Sequence, residues 1–155
     1  MRFAVVCSRF NGAITDALLD GAKRGFEAAG VPADLIDQFD VPGSFELPVA
    51  ALWLARTNKY NAIACLGCII RGETPHFEHI AREAAHGIAT VALQTGVPTI
   101  FGVLTTDTLE QAQARAAAGA GSSAAHTDAG GPSNKGYEAA QSAVAMAELR
   151  RKFDI

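Results

Sequence analysis

"YNAIACLGCII", Tyr60 to Ile70, is the stretch on which the fold turns. After Asn61 it carries no polar side chain except two thiols, so neither face of a strand built from it can meet water. A strand apolar on both faces is expected at the centre of a parallel sheet covered on both sides by helices. Its Cys65 and Cys68 form a C-x-x-C, but residues three apart on a strand face opposite sides. A redox pair of this spacing should instead open a helix, where the helix dipole lowers a thiol pKa. The two thiols, and Cys7 in "RFAVVCS", are therefore read as buried and reduced, which suits a cytoplasmic protein.

Outward from this strand, apolar runs alternate with helical patterns. "RFAVVCS" is a first strand, followed by a helix with Ile14, Leu18, Ala22, Phe26 and Ala29 on one face and Gly30 as its stop. "DLIDQFDV" is a second, more polar strand. "FELPVAALWLART" is a second helix, with Ser44 as its expected N-cap and Pro48 tolerated near the start. The long helix "PHFEHIAREAAHGIATVALQTG" leads to a fourth strand, "VPTIFGVLTT". "DTLEQAQARAA" is a helix expected to be capped by Asp107, and "NKGYEAAQSAVAMAELRRKF" is the last helix, ending in a basic turn that suits its dipole. Strict alternation predicts an α/β fold with right-handed crossovers. The expected form is a flavodoxin-like three-layer sandwich, with a parallel sheet of about four strands flanked by helices on both faces.

Composition agrees. One domain over residues 1–155 is expected, with 49% apolar residues and enough chain to bury a core. Fifteen glycines and many alanines point to tight turns and close helix packing. A net charge of −3 disfavours nucleic acid as a main partner. No apolar run approaches the roughly 20 residues that span a membrane, and the N-terminus reads as a first strand rather than a signal peptide. Residues 116–134, rich in Ala, Gly and Ser, read as a flexible insert, with His126 solvated.

In parallel sheets of this kind ligands sit beyond the carboxyl ends of the strands, so chemistry is sought in the loops that follow them. "RGETPHFEH", Arg71 to His79, ends the third strand at Gly72 and offers Thr74 as an N-cap and Pro75 at the first helical position. The unpaired N–H groups of that first turn suit a phosphate. His76 beside a bound anion would be a proton shuttle, because an imidazole titrates near neutrality; equally, it is an exposed first-turn residue. His79 and Glu83 could share a helix face with His76 around a metal, but no HExxH pattern is present, and a polar helix face is the better reading; His86 reads the same way. In "VPGSFELP", free N–H groups near Gly43 to Phe45 suit the carbonyls of a flat polar ligand. Glu46 suits its hydroxyls or amines, or simply a first helical turn. Phe10 is either a lid over the core or a stacking platform.

Taken together and in order, "SRFN", "VPGSFELP", "LGCIIRGETPHFEHIA", "PTIFGVLTTDTLEQAQARA" and "NKGYEAAQSAVAMAEL" resemble the 6,7-dimethyl-8-ribityllumazine synthases of riboflavin biosynthesis over nearly the whole chain. The resemblance implies condensation of 5-amino-6-(D-ribitylamino)uracil with 3,4-dihydroxy-2-butanone 4-phosphate, without metal or cofactor. It implies that Phe10 stacks on the pyrimidine and that Ser44, Phe45, Glu46, Cys68, Ile69 and Ile70 contact the uracil and its ribityl chain. Glu73 and Thr74 would hold the phosphate, and His76 would donate and shuttle protons. Phe101 and Lys135 would contact the uracil, and Arg115 would clamp the phosphate, all three from a neighbouring subunit. A homo-oligomer is therefore implied. Met1 opens the first strand directly, and the gap between Arg115 and "NKG" is longer than in cage-forming members. A pentamer or pair of pentamers is expected rather than a sixty-subunit cage. A lumazine- or flavin-binding carrier on the same scaffold is the alternative; it would need neither His76 nor Arg115.

Overall fold

The computed structural model describes residues 1–118 and 134–155. Four strands, β1 (Phe3–Ser8), β2 (Ile36–Val41), β3 (Ala62–Ile70) and β4 (Thr99–Thr106), form one parallel sheet in the order β2-β1-β3-β4. The helices are α1 (Gly12–Ala28), α2 (Leu47–Arg56), α3 (His76–Thr95), α4 (Leu109–Arg115) and α5 (Lys135–Arg151). Short 3-10 turns at Ala33–Leu35 and Ser44–Glu46 precede β2 and α2. This is the expected three-layer sandwich. Among the described residues no helix is long and apolar enough to cross a membrane.

The period of two along each strand separates two cores. Phe3, Val5 and Cys7 of β1, with Ala64, Leu66 and Cys68 of β3, face α1, α4 and α5. Ala4 and Val6, with Ile63, Cys65 and Ile69, face α2 and α3. β3 is buried from Ala62 to Ile69, as its all-apolar sequence requires. The small residues act where helices meet: α1 and α5 approach so closely that a Cβ on Gly136 would strike the backbone carbonyl of Leu18. β2 lies at the sheet's edge and is half-exposed, which explains its polar composition. Asp37 on it accepts from Arg2 Nε and Nη2 at 2.7 Å each and from the Tyr60 hydroxyl at 2.9 Å, tying the start of β1 to the edge strand.

None of three expected caps forms. Ser44 does not cap α2; it is buried and opens the 3-10 turn, and α2 begins at Leu47 with Pro48 in its first turn. Thr74 does not cap α3, which follows Pro75 without a side-chain cap. Asp107 does not cap α4, because its carboxylate is taken by Arg71; Thr108 Oγ1 accepts from Gln111 N instead, at 3.2 Å. The expected insert at 116–134 lies largely outside the described residues, and His126 with it. Its two ends, Ala116 and Asn134, are buried, and the Asn134 amide donates to the Ala116 carbonyl at 3.0 Å while its oxygen caps α5.

All three cysteines are free and buried, and Cys65 and Cys68 lie on opposite faces of β3. Burial pushes the Cys65 thiol up to about 12 and the Cys68 thiol up to about 11. Such thiols keep their protons in the folded chain after the unfolded chain has lost them, at about pH 8.5 and above. The stability tied to those protons is whole below that pH and falls as pH rises toward the folded values. The urea midpoint is therefore expected to drop between about pH 8.5 and 11, and to drop less steeply in Cys65→Ala. Parallel slopes for the two proteins would contradict this.

Candidate active site

β1 has β2 on one side and β3 on the other, so the loops leaving β1 and β3 diverge and open a crevice at the carboxyl edge. The loop after β1 is pinned on both flanks. Arg9 N and Phe10 N donate to the carbonyls of Val41 and Pro42, at 2.8 and 3.1 Å. Across the crevice, the Asn11 amide donates to the Cys68 carbonyl at 2.8 Å. Asn11 is left-handed (φ 59°, ψ 48°), a conformation Asn tolerates better than most side chains, and its carbonyl accepts from Ile14 N and Thr15 N to start α1. The ring of Phe10 is left 69% exposed at the mouth of the crevice.

The segment after β2 folds against the centre of the sheet. It can do so because Gly67 has no side chain: a Cβ there would come within 2.5 Å of Ser44 Oγ. Ser44 is thereby buried, while Phe45 and Glu46 stand toward the opening. After β3, the Arg71 N–H extends the ladder to the Thr106 carbonyl at 2.8 Å, and the chain turns through Gly72 to Pro75 into α3. His76 is the first residue of that helix, among its unpaired N–H groups.

These segments enclose a cavity of about 530 Å³. Phe10 lines it from β1, Ser44, Phe45 and Glu46 from the β2 side, and Cys68, Ile69 and Ile70 from the end of β3. Thr74 and His76 line the remaining wall. The structure thus brings together an aromatic platform, a carboxylate and an imidazole at a helix N-terminus. Glu73 is exposed and does not line the cavity, nor do Phe101, Arg115 and Lys135 of the same chain. Arg115 lies at the end of α4, donating to the Gln111 carbonyl at 3.1 Å; Lys135 opens α5, and Phe101 lies on β4. Sequence reasoning missed Phe77 and Ile80, which line the cavity with Gly43 and Gly72. Their spacing on α3 is that of ordinary core residues; only their place in the first turn, next to His76, hints at the site. Among the described residues no three His, Cys, Asp or Glu side chains are grouped to hold a metal.

The family model for 6,7-dimethyl-8-ribityllumazine synthase matches residues 1–151. The chain belongs to the lumazine synthase family. The 6,7-dimethyl-8-ribityllumazine synthase of Microcystis aeruginosa (strain NIES-843 / IAM M-2473) is 46% identical over 157 residues, covering 99% of this chain and 80% of that protein. In this lumazine synthase family member, the framework of the cavity depends on Asn11. Replacing it by Ala removes the hydrogen bond to Cys68, worth about 1 kcal/mol, and leaves a left-handed Ala, at about 1–2 kcal/mol. Asn11→Ala is expected to lower the unfolding free energy by about 2–3 kcal/mol and Asn11→Gly by about 1 kcal/mol, in urea titrations. Equal losses in the two variants would show that the backbone at Asn11 carries no strain.

Proposed function

We propose that the cavity between β1 and β3 is where 5-amino-6-(D-ribitylamino)uracil and 3,4-dihydroxy-2-butanone 4-phosphate condense to 6,7-dimethyl-8-ribityllumazine, phosphate and water. The observation that carries this is the convergence of Phe10, Glu46 and His76 on one cavity at the switch point of the sheet. Phe10 stacks on the pyrimidine, and Ser44, Phe45 and Glu46 with Cys68, Ile69 and Ile70 hold the ring and the ribityl chain. Glu46 accepts from the hydroxyls, while the ring's carbonyls meet backbone N–H groups near the Ser44–Glu46 turn. The butanone phosphate lies at the start of α3, where free N–H groups and the helix dipole favour an anion, with Glu73 and Thr74 of the preceding turn.

The reaction then needs orientation and proton movement. The uracil's amine adds to the ketone and water leaves to give an imine; phosphate leaves in an elimination; the second amine closes the ring with loss of water. His76 stands one residue from the anion-binding turn. It is placed to take a proton from carbon as the phosphate departs and to give one to a leaving oxygen. Holding both substrates side by side in one cavity supplies the rest.

Arg115, Phe101 and Lys135 act in the cavity of a neighbouring subunit. Their absence from their own chain's cavity supports this, as does exposed apolar surface on α2 and α3, with Trp53 64% and Leu93 87% exposed. The assembly is a homopentamer or a pair of pentamers, built by a head-to-tail interface that closes a ring. Arg115 clamps the phosphate, its forked donors matching the oxygens. The chain forms one domain over residues 1–155, with 116–134 an insert that follows α4 in the sequence. Free, buried thiols suit a cytoplasmic setting.

Turnover is followed by lumazine absorbance and by phosphate release, the second of which a carrier would not give. His76→Ala is expected to lower kcat by about 10²–10⁴. Arg115→Ala is expected to act mainly on KM for the butanone phosphate. Full activity in both variants would defeat this assignment.

A further inference from the structure

Arg71 is exposed and does not line the cavity, yet Asp107, Glu78 and Phe77 hold its guanidinium. Its Nε donates to Asp107 Oδ1 at 2.7 Å, where β4 passes into α4. Its Nη1 lies 3.5 Å from Glu78 Oε1 in the first turn of α3. Its guanidinium stacks over the ring of Phe77, 4.7 Å from the centroid, and Phe77 lines the cavity. Between these anchors Gly72 meets nothing within 4 Å of where a Cβ would stand, α3 begins without a side-chain cap, and the Glu78 N–H donates to the Pro75 carbonyl at 3.1 Å. One guanidinium therefore closes residues 71–78 into a loop and ties that loop to the start of α4. From Asp107 the ties continue: its backbone N–H donates to Gln111 Oε1 at 2.9 Å, and the Gln111 carbonyl accepts from Arg115 at 3.1 Å.

We infer that Arg71 and Asp107 form a positioning latch, which holds the turn between β3 and α3 in the shape that receives the phosphate of the butanone substrate. This rests on the placement of the phosphate proposed above. Arg71 acts through the backbone it fixes rather than as a ligand of the anion. Exposed ion pairs contribute little to overall stability, and the side chains here are 49% and 64% exposed. The latch therefore shows in substrate binding and not in the unfolding midpoint.

The test compares Arg71→Ala, Asp107→Ala and the double variant in the full-length assembled protein. The measurements are KM for each substrate, kcat, and inhibition by inorganic phosphate. Competitive inhibition of the wild type by phosphate, against the butanone phosphate, tests the placement of the anion; its absence would remove that placement and the latch with it. Given that inhibition, each single variant is expected to raise KM for the butanone phosphate and the phosphate Ki by about tenfold. The double variant should add little, because both changes remove one shared interaction. KM for the uracil should move less than about twofold, and the unfolding midpoint should hardly move. If Arg71 were itself a phosphate ligand, Asp107→Ala would release it and leave KM unchanged or lower. That result, or multiplicative losses in the double variant, would overturn the latch while leaving the anion site in place.

Discussion

From Ala62 to Ile69 every residue of β3 is buried, and helices press on both of its faces. A strand in that position has no room for a charged or hydrogen-bonding side chain along its length. Its polar chemistry has to wait until the strand ends. It does so at Ile70, and within six residues the chain supplies a cation, a glycine turn and an imidazole at a helix N-terminus. The burial that makes β3 the hub of the sheet is thus also what concentrates function at one edge. The same constraint governs the thiols, which are held neutral by burial and serve as small apolar groups.

Two close approaches convert that edge into a cavity. Gly67 lets the segment after β2 settle on the middle strand, burying Ser44 and presenting Phe45 and Glu46. Asn11 bridges the loop after β1 to the end of β3 and, in turning the chain into α1, leaves Phe10 projecting. Neither residue is reactive. Both decide where the cavity's side chains stand, and a shift of either would move Phe10 away from the start of α3. Arg115, Phe101 and Lys135 belong, in the proposed assembly, to the next subunit's site, which makes association a condition of catalysis rather than an ornament of it.

The fold was legible because its signals are long and repeated: an apolar run such as Ala62–Ile70 admits few alternatives, and the helices between the strands keep their spacing. The lining of the cavity was legible in part. The cavity positions of His76 and Thr74 follow from their place after a strand and before a helix, Phe10 and Glu46 could each be read two ways from their loops, and Ile70 came from the resemblance of whole blocks. The caps were misread because Ser44, Thr74 and Asp107 are all suitable residues in suitable places, and which one caps depends on tertiary partners. Arg71 claims Asp107, and the space left by Gly67 claims Ser44. Phe77 and Ile80 were missed for the opposite reason. An apolar residue at helical spacing looks the same whether it faces a core or a substrate, and the difference lies in how far the helix extends past the sheet.

The central claim is that a working site needs one chain's His76 and a neighbour's Arg115. Mixing impaired chains tests it directly: His76→Ala and Arg115→Ala proteins are unfolded together in urea, refolded as a mixture and assayed for lumazine formation at butanone phosphate concentrations far below the KM of Arg115→Ala, where each variant alone is nearly inactive. In a head-to-tail ring, random assembly places an intact His76 beside an intact Arg115 in about one site in four, so activity should return to about a quarter of the wild-type value. A mixture no more active than its two components would contradict a shared site and return the whole reaction to a single chain.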